Sequence, residues 1–413
     1  MSSEFSNSSL LNKTMLKDAS SICGTAKWAN FWLLDPAVTF LNHGSYGACP
    51  KAVLAVQQRL RSQLEQEPLR FFGREWEPLL DNARSELAAF VGADIQDLVF
   101  VPNATTGVNS VLRSLTFSPE DEILTTNHEY NACRNALDFI ASRTGARVVV
   151  AKIPFPIDSP QQVVAAVIEQ VSPKTRLALL DHVTSQTGLI FPISELVKQL
   201  QQRGVNTLVD GAHAPGMISL NLQEIGATYY TGNCHKWLCA PKGAGFLYVR
   251  RDQQPEIRPL TISHGTNSSR TDKTRFQLEF DWTGTDDPTA YMCVPEAIAF
   301  MGSLLPGGWT ELMQQNHQLV LQGRQLLCEV LGVQPPCPEE MIGSMAVLPM
   351  PAILENRDFM SVHDELFDKF GIQVQVMPWH EKPRMLVRIS AQIYNTLEQY
   401  EYLGKVLKGL LSG

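Results

Sequence analysis

No hydrophobic run in this chain reaches the roughly 20 residues that a membrane-spanning helix needs, so no membrane partner is expected. An excess of basic residues is also missing. Lys and Arg number 34 against 42 Asp and Glu, a formal net charge of −8, which argues against a general nucleic-acid or anionic-membrane surface. The eight cysteines (Cys23, Cys49, Cys133, Cys234, Cys239, Cys293, Cys328, Cys337) form no CxxC pair and no dense scaffold. A reducing cytoplasm is therefore the expected compartment. The N-terminal MSSEFSNSSLLNKTMLKD lacks the continuous apolar core of a secretory signal and reads as a mobile arm. The nine histidines show no HExxH or comparable ligand spacing, so a metal-dependent hydrolase is disfavoured and no metal ligand is nominated.

What is present is the composition of an enzyme. At 413 residues, with 44% hydrophobic and 18% charged, the chain is long enough for two or three structural units. Short apolar runs at 98–101, 123–126, 146–150, 177–180, 207–209 and 246–249 read as strands. Helical spacing lies between several of them, at 108–115, 131–142, 161–171 and 193–203. Strands of four to six residues alternating with helices imply an α/β fold with a mostly parallel sheet covered on both faces. Polar residues follow directly after each strand, where ligands sit in such folds. After Val249 the pattern loosens. Helices at 311–330, 361–370 and 395–411 surround strand-like pieces at 344–349 and 385–390, which reads as a smaller α+β domain. The expected division is residues 1–35 as an arm and helix, 36–305 as a large domain and 306–413 as a small C-terminal one.

The chain is organised around residues 208–246. An apolar run ends on Asp210 and turns through Gly211, Ala212 and His213; a polar segment, 231–235, then delivers Lys236 ahead of a glycine-rich exit. An Asp at a strand's end and a Lys on a later tight turn are the two groups that pyridoxal 5'-phosphate (PLP) needs. The lysine forms a Schiff base with the aldehyde, and the carboxylate keeps the pyridine nitrogen protonated. Either feature alone would be an ordinary turn or a surface pair. Upstream, the strand 98–101 runs through Asn103, Ala104, Thr105 and Thr106 into a helix, a ready phosphate cradle of free N–H groups and hydroxyls, or by itself an ordinary cap.

The sequence resembles the aminotransferase class V group of PLP enzymes, which includes cysteine desulfurases, kynureninases and isopenicillin N epimerases. The epimerase-like branch is the nearest in pattern, through LNHGSYGACP at 41–50, NHEY at 127–130, TSQTG at 184–188, GNCHKW at 232–237 and WTGTDDP at 282–288. The resemblance runs from about Phe40 to the C-terminus. It implies a fold type I transferase with a seven-stranded-type sheet, and a homodimer in which Thr285 reaches the other subunit's cofactor phosphate. It further implies Lys236 as the attachment point, Asp210 at the pyridine nitrogen, His213 near the phenolic oxygen, and Ser185 close to the ring. Asn233 and His235 would join the phosphate site, with Asn233 standing where serine is more common. Tyr130 and His128 both fit the position that stacks on the ring, with Tyr130 preferred. Arg388 matches the guanidinium that clamps a substrate carboxylate. His43, Ser45 and Arg74 are further substrate-site candidates, Arg74 the weakest.

The activity implied is at the α-carbon of an amino acid or an amino-acid-containing substrate. Isopenicillin N epimerase-like epimerisation leads; a C–S lyase or desulfurase-like lyase, or an aminotransferase, is the alternative. Residues 371–380 hold no cysteine, which disfavours a desulfurase relying on a persulfide there. A non-catalytic relative would most simply have lost Lys236, which is present.

Overall fold

The computed structural model describes residues 27–355 and 357–412. The expected N-terminal arm lies outside the described residues as far as residue 26; within 27–35 there is a single short turn of helix, Ala29–Phe31. The chain divides into two compact units, one formed by Cys49–Ser185 with Ile190–Trp309, the other by the chain up to Ala48, Gln186–Leu189 and everything from Thr310. Strand β1 (Thr39–Phe40) therefore falls in the same unit as the C-terminal segment, whereas the sequence reading grouped residues 36–48 with the larger domain.

The larger unit carries β2 (Leu98–Val101), β3 (Glu122–Thr126), β4 (Arg147–Ala151), β5 (Thr175–Asp181), β6 (Asn206–Gly211), β7 (Tyr229–Asn233) and β8 (Gly245–Val249). They form one seven-stranded sheet in the order β2-β8-β7-β6-β5-β3-β4. Strands β2, β3, β7 and β8 are buried at every residue, as expected of a sheet covered on both faces. β5 and β6 depart from this only at Arg176 and Asn206 near their starts, and the edge strand β4 is exposed at its start and half-buried through its middle. Helices Ala104–Ser114, Asn131–Thr144, Pro160–Glu169 and Ile193–Gln201 supply the connections. A core of Val99, Val101, Val111, Leu137, Leu179 and Leu247 packs between helices and sheet.

Only β8 runs against its neighbours in this sheet, antiparallel to both β7 and β2. The cause is local. The connection from β7 to β8 spans 234–244 without a helix, too short for the crossover that a parallel partner requires. The chain instead returns directly, and Lys236 is left at the carboxyl end of β7. From β3 the chain moves outward to β4 and then back across to β5. The loops after β3 and β5 thus open the crevice where ligands bind in such sheets.

The other unit contains β1, β9 (Met345–Pro349), β10 (Ile372–Gln373), β11 (Gln375–Pro378) and β12 (Met385–Ser390). β1 pairs in parallel with β10, and β11-β12-β9 form an antiparallel sheet accompanied by helices Gly308–Leu331, Phe359–Phe370 and Leu397–Ser412. This is the small α+β architecture read from the sequence. Strands β10 and β11 were not anticipated, although Ile372, Gln373, Val374, Gln375 and Val376 carry the apolar–polar alternation of a half-buried strand.

Candidate active site

Lys236 sits in a tight turn after β7. The amide of Cys239 donates to Lys236 O at 3.1 Å and that of Ala240 to Cys234 O at 3.0 Å. Cys239 takes a left-handed backbone with φ of 63°, a conformation that costs a non-glycine residue about 1–2 kcal/mol. The Nζ of Lys236 lies 3.1 Å from Nε2 of His213. On the far side of that ring, the Trp237 indole donates to Nδ1 at 3.4 Å. An indole N–H only donates, so Nδ1 is the acceptor, the ring proton is on Nε2, and Nε2–H points at the amine. Gly216, at φ of 84°, permits this approach: a Cβ there would fall 2.5 Å from the Trp237 carbonyl carbon.

Asp210, near the carboxyl end of β6, is buried. Its Oδ1 accepts the Ala212 amide at 2.9 Å and its Oδ2 the Cys133 thiol at 3.2 Å. Both oxygens thus accept a donor, and lone pairs remain for one more. Burial and the surrounding acids keep the Cys133 thiol well above its ordinary range, so it stays a donor.

Helix Ala104–Ser114 begins four residues before the position read from its apolar spacing, because Asn103 caps it. The Asn103 Oδ1 accepts the Thr106 amide at 2.9 Å and the Thr106 hydroxyl at 3.1 Å. The Asn233 Oδ1 accepts the Ala104 amide at 2.8 Å. Of the expected cradle, then, Ala104 and Thr106 have donors already engaged by the protein, and Thr105 is the first-turn residue left to face an anion. Asn233 ties β7 to the helix start through its carbonyl oxygen, and its NH₂ remains the group able to donate. His235 donates from Nδ1 to Ala244 O at 2.8 Å. Burial brings its pKa down to about 4, so its Nε2 carries a lone pair at neutral pH. A phosphate dianion would have to draw a proton onto it.

The two candidates for the stacking ring differ sharply. His128 is 0% exposed, packed edge-on to Phe155 and tilted against Phe191 at centroid distances of 6.0 and 5.9 Å. Tyr130, at the start of helix Asn131–Thr144, is 43% exposed. Ser185 is half-buried in the turn after β5, and Thr285 lies in an exposed turn. That turn's Thr283, Gly284 and Asp286 share the lining of a cavity of about 220 Å³ with Thr106, Phe72, Trp76 and Trp282. Arg74 is exposed on a π-helical turn, Phe71–Glu75.

In the other unit, the buried Arg388 on β12 donates from Nη2 to Ser45 Oγ at 2.8 Å and to Asn42 Oδ1 at 3.4 Å, both neutral oxygens. Ser45 in turn donates to Asn42 Oδ1 at 2.7 Å. His43 is wholly buried, 2.7 Å from the Tyr394 hydroxyl. Asn42 was missed; its place directly before His43 in the same polar turn was the available signal.

The residues of the larger unit fit PLP. An amine after β7, a buried carboxylate with spare lone pairs on β6, and a capped helix terminus after β2 suit the aldehyde, pyridine and phosphate of that group. Sequence reasoning did not find Cys133, Trp237 or Glu129, which lie on helix or loop positions whose relevance depends on the fold.

The family model for "Aminotransferase class-V" matches residues 39–403. An isopenicillin N epimerase of Amycolatopsis lactamdurans is 35% identical over 391 residues, covering 91% of this chain and 96% of the relative. A probable chloroplastic L-cysteine desulfhydrase of Arabidopsis thaliana is 31% identical over 404 residues, covering 91% of this chain and 84% of the relative. Among solved structures, the cystine C-S lyase C-DES in complex with cysteine persulfide matches with a TM-score of 0.76 at 21% identity. It covers 90% of this chain and 97% of that one. A variant of the same lyase, with glycine covalently linked to its PLP cofactor, matches with a TM-score of 0.75 at 21% identity, covering 90% and 96%.

Proposed function

From the premise that this chain belongs to the aminotransferase class V family and uses PLP, we propose that it acts at the α-carbon of an amino acid as an epimerase. The observation that carries the reading is the pairing of Lys236 Nζ with His213 Nε2 at 3.1 Å on the strand edge that also holds Asp210. When bound, PLP draws electrons away from the α-carbon of an amino acid attached to it. The chain supplies the rest. Asp210 accepts the pyridine N–H, Thr105, Asn233 and His235 hold the phosphate, and Tyr130 covers a ring face, with Ser185 beside it. Lys236 anchors the group and, once released, takes the substrate's α-proton at Nζ, with His213 Nε2 placed 3.1 Å from that amine. Arg388, fixed by Asn42 and Ser45, receives the α-carboxylate; its two parallel N–H bonds suit that anion.

Epimerisation and elimination share every group up to the loss of the α-proton and diverge at the acid that acts next. Inversion returns a proton on the opposite face, whereas a lyase protonates a departing sulfur. The epimerase relative at 35% identity supports the first reading, and the desulfhydrase at 31% supports a C–S lyase as the second. The seven described cysteines are unbridged, in keeping with a cytoplasmic enzyme. The deciding experiment incubates the PLP-loaded protein with a panel of L-amino acids, followed by chiral chromatography and assays for pyruvate, ammonia and sulfide. Inverted amino acid supports the epimerase. Keto acid with released sulfide and ammonia replaces it with the C–S lyase, keto acid with ammonia but no sulfide indicates elimination of another group, and keto acid without ammonia indicates transamination.

A further inference from the structure

Around Asp210 lies a group of buried acids that the reaction as described leaves unused. Asp181 ends β5 and pairs in register with Asp210 on β6. Glu129 lies in the loop after β3, and its carboxylate, the Cys133 sulfur and the Asp210 carboxylate come within 4.8 Å of one another. All three carboxyls are buried. The Thr125 hydroxyl donates to Glu129 Oε2 at 2.6 Å. By contrast, Glu129 Oε1 and Asp181 Oδ2 meet no hydrogen-bond partner among the described residues, while both oxygens of Asp210 accept a donor.

Three carboxylates this close in a dry interior cannot all ionise. A negative charge costs least where both oxygens are met by donors, which is Asp210. We propose that Glu129 and Asp181 are positioning residues for the cofactor: both remain neutral acids, confining the cluster's charge to Asp210 and preserving it as the acceptor for the pyridine N–H. This rests on the PLP reading above. Burial, opposed by the Thr125 hydroxyl and reinforced by the Asp210 charge, pushes Glu129 up to about 8, with the Tyr130 amide and Cys133 thiol pulling the other way. Burial and then the charges of Glu129 and Asp210 push Asp181 well above the carboxylate range, against the pull of Lys236.

The sign of the linkage follows. The folded protein holds a proton on Glu129 that the unfolded chain releases near pH 4.5, so stability falls as pH rises from the unfolded value to the folded one and levels off above it. Glu129→Gln carries the neutral form permanently and removes that slope. The test measures Tm against pH, from about 5 to about 9, for the full chain with and without PLP, in wild type and Glu129→Gln. PLP affinity at neutral pH is read from quenching of protein fluorescence.

Wild type should lose Tm relative to the variant between about pH 5 and about pH 8, and the variant should bind PLP within about twofold of wild type. Parallel Tm curves, or a tenfold or larger loss of PLP affinity in the variant, would overturn the proposal. Should Glu129→Gln fail to fold, infrared difference spectra of the wild type decide the matter. Loss of a protonated carboxylic-acid carbonyl band on raising the pH through about 8 supports the proposal, and a spectrum without such a band at neutral pH sinks it. Wild type that binds no PLP at all would refute the functional reading itself, a result separate from any difference between the two proteins.

Discussion

The Lys236 amine is the residue on which the chemistry turns, and its neighbours explain its state. Because Trp237 can only donate to His213, the imidazole proton is committed to the lysine side. Lys236→Ala should abolish borohydride fixation of PLP and lower kcat/KM by ~10³-fold or more, read by absorbance and steady-state kinetics. Asp210→Asn keeps the shape but removes the charge, and should lower kcat by ~10²–10⁴-fold while the Schiff base still forms. His235 offers a proton test. Free, its ring is neutral above about 4; against a phosphate dianion it gains a proton, so PLP binding takes up protons and weakens as pH rises through the bound-state value. Calorimetry in buffers of different ionisation enthalpy should show less proton uptake for His235→Asn, whose amide can still donate to Ala244 O.

At the scale of elements, the cradle depends on how the helix Ala104–Ser114 meets the sheet. Gly107 lies against β7 so closely that a Cβ would come 2.2 Å from Thr231 Oγ1, the hydroxyl that donates to Phe246 O at 2.7 Å across to β8. Gly107→Ala should therefore destabilise the protein by about 1–3 kcal/mol in urea unfolding and weaken PLP binding by displacing the helix start. Asn103→Ala removes the cap and should cost about 1 kcal/mol. In the smaller unit, Arg388→Lys retains charge but loses the planar fork. A charge-assisted hydrogen bond is worth about 1.5–3 kcal/mol, so KM for an amino acid should rise ~10-fold or more while PLP affinity is unchanged.

For the whole molecule, we propose a homodimer in which Thr285 donates to the partner's cofactor phosphate. Its turn is exposed and Gly284 there has open space around it, so Thr285→Ala should change stability by no more than about 0.5 kcal/mol. Several-fold weaker PLP binding with unchanged Tm, together with a two-chain mass in sedimentation, is the expected outcome; unchanged PLP affinity removes Thr285 from the site. No helix among the described residues is long and apolar enough to cross a membrane.

Periodicity and punctuation in the sequence determined the α/β class, six of the seven strands of the large sheet and the helices between them, because apolar spacing and turn residues are local properties; β7, with Thr231, Gly232 and Asn233, carries no apolar run and was read as a polar segment. Asp210 was legible for the same reason, since it ends an apolar run, while Lys236 was legible from the polar turn and glycine-rich exit on either side of it. Tertiary structure decided what local pattern does not encode. It buried His128, left Tyr130 exposed, and turned β8 against its neighbours through a short return. It also engaged Ala104 and Thr106 within the protein and brought Glu129, Asp181 and Cys133 to Asp210 from three separate elements. Electrostatics and accessibility depend on distances through space, and those distances come into being only when the strands are laid side by side.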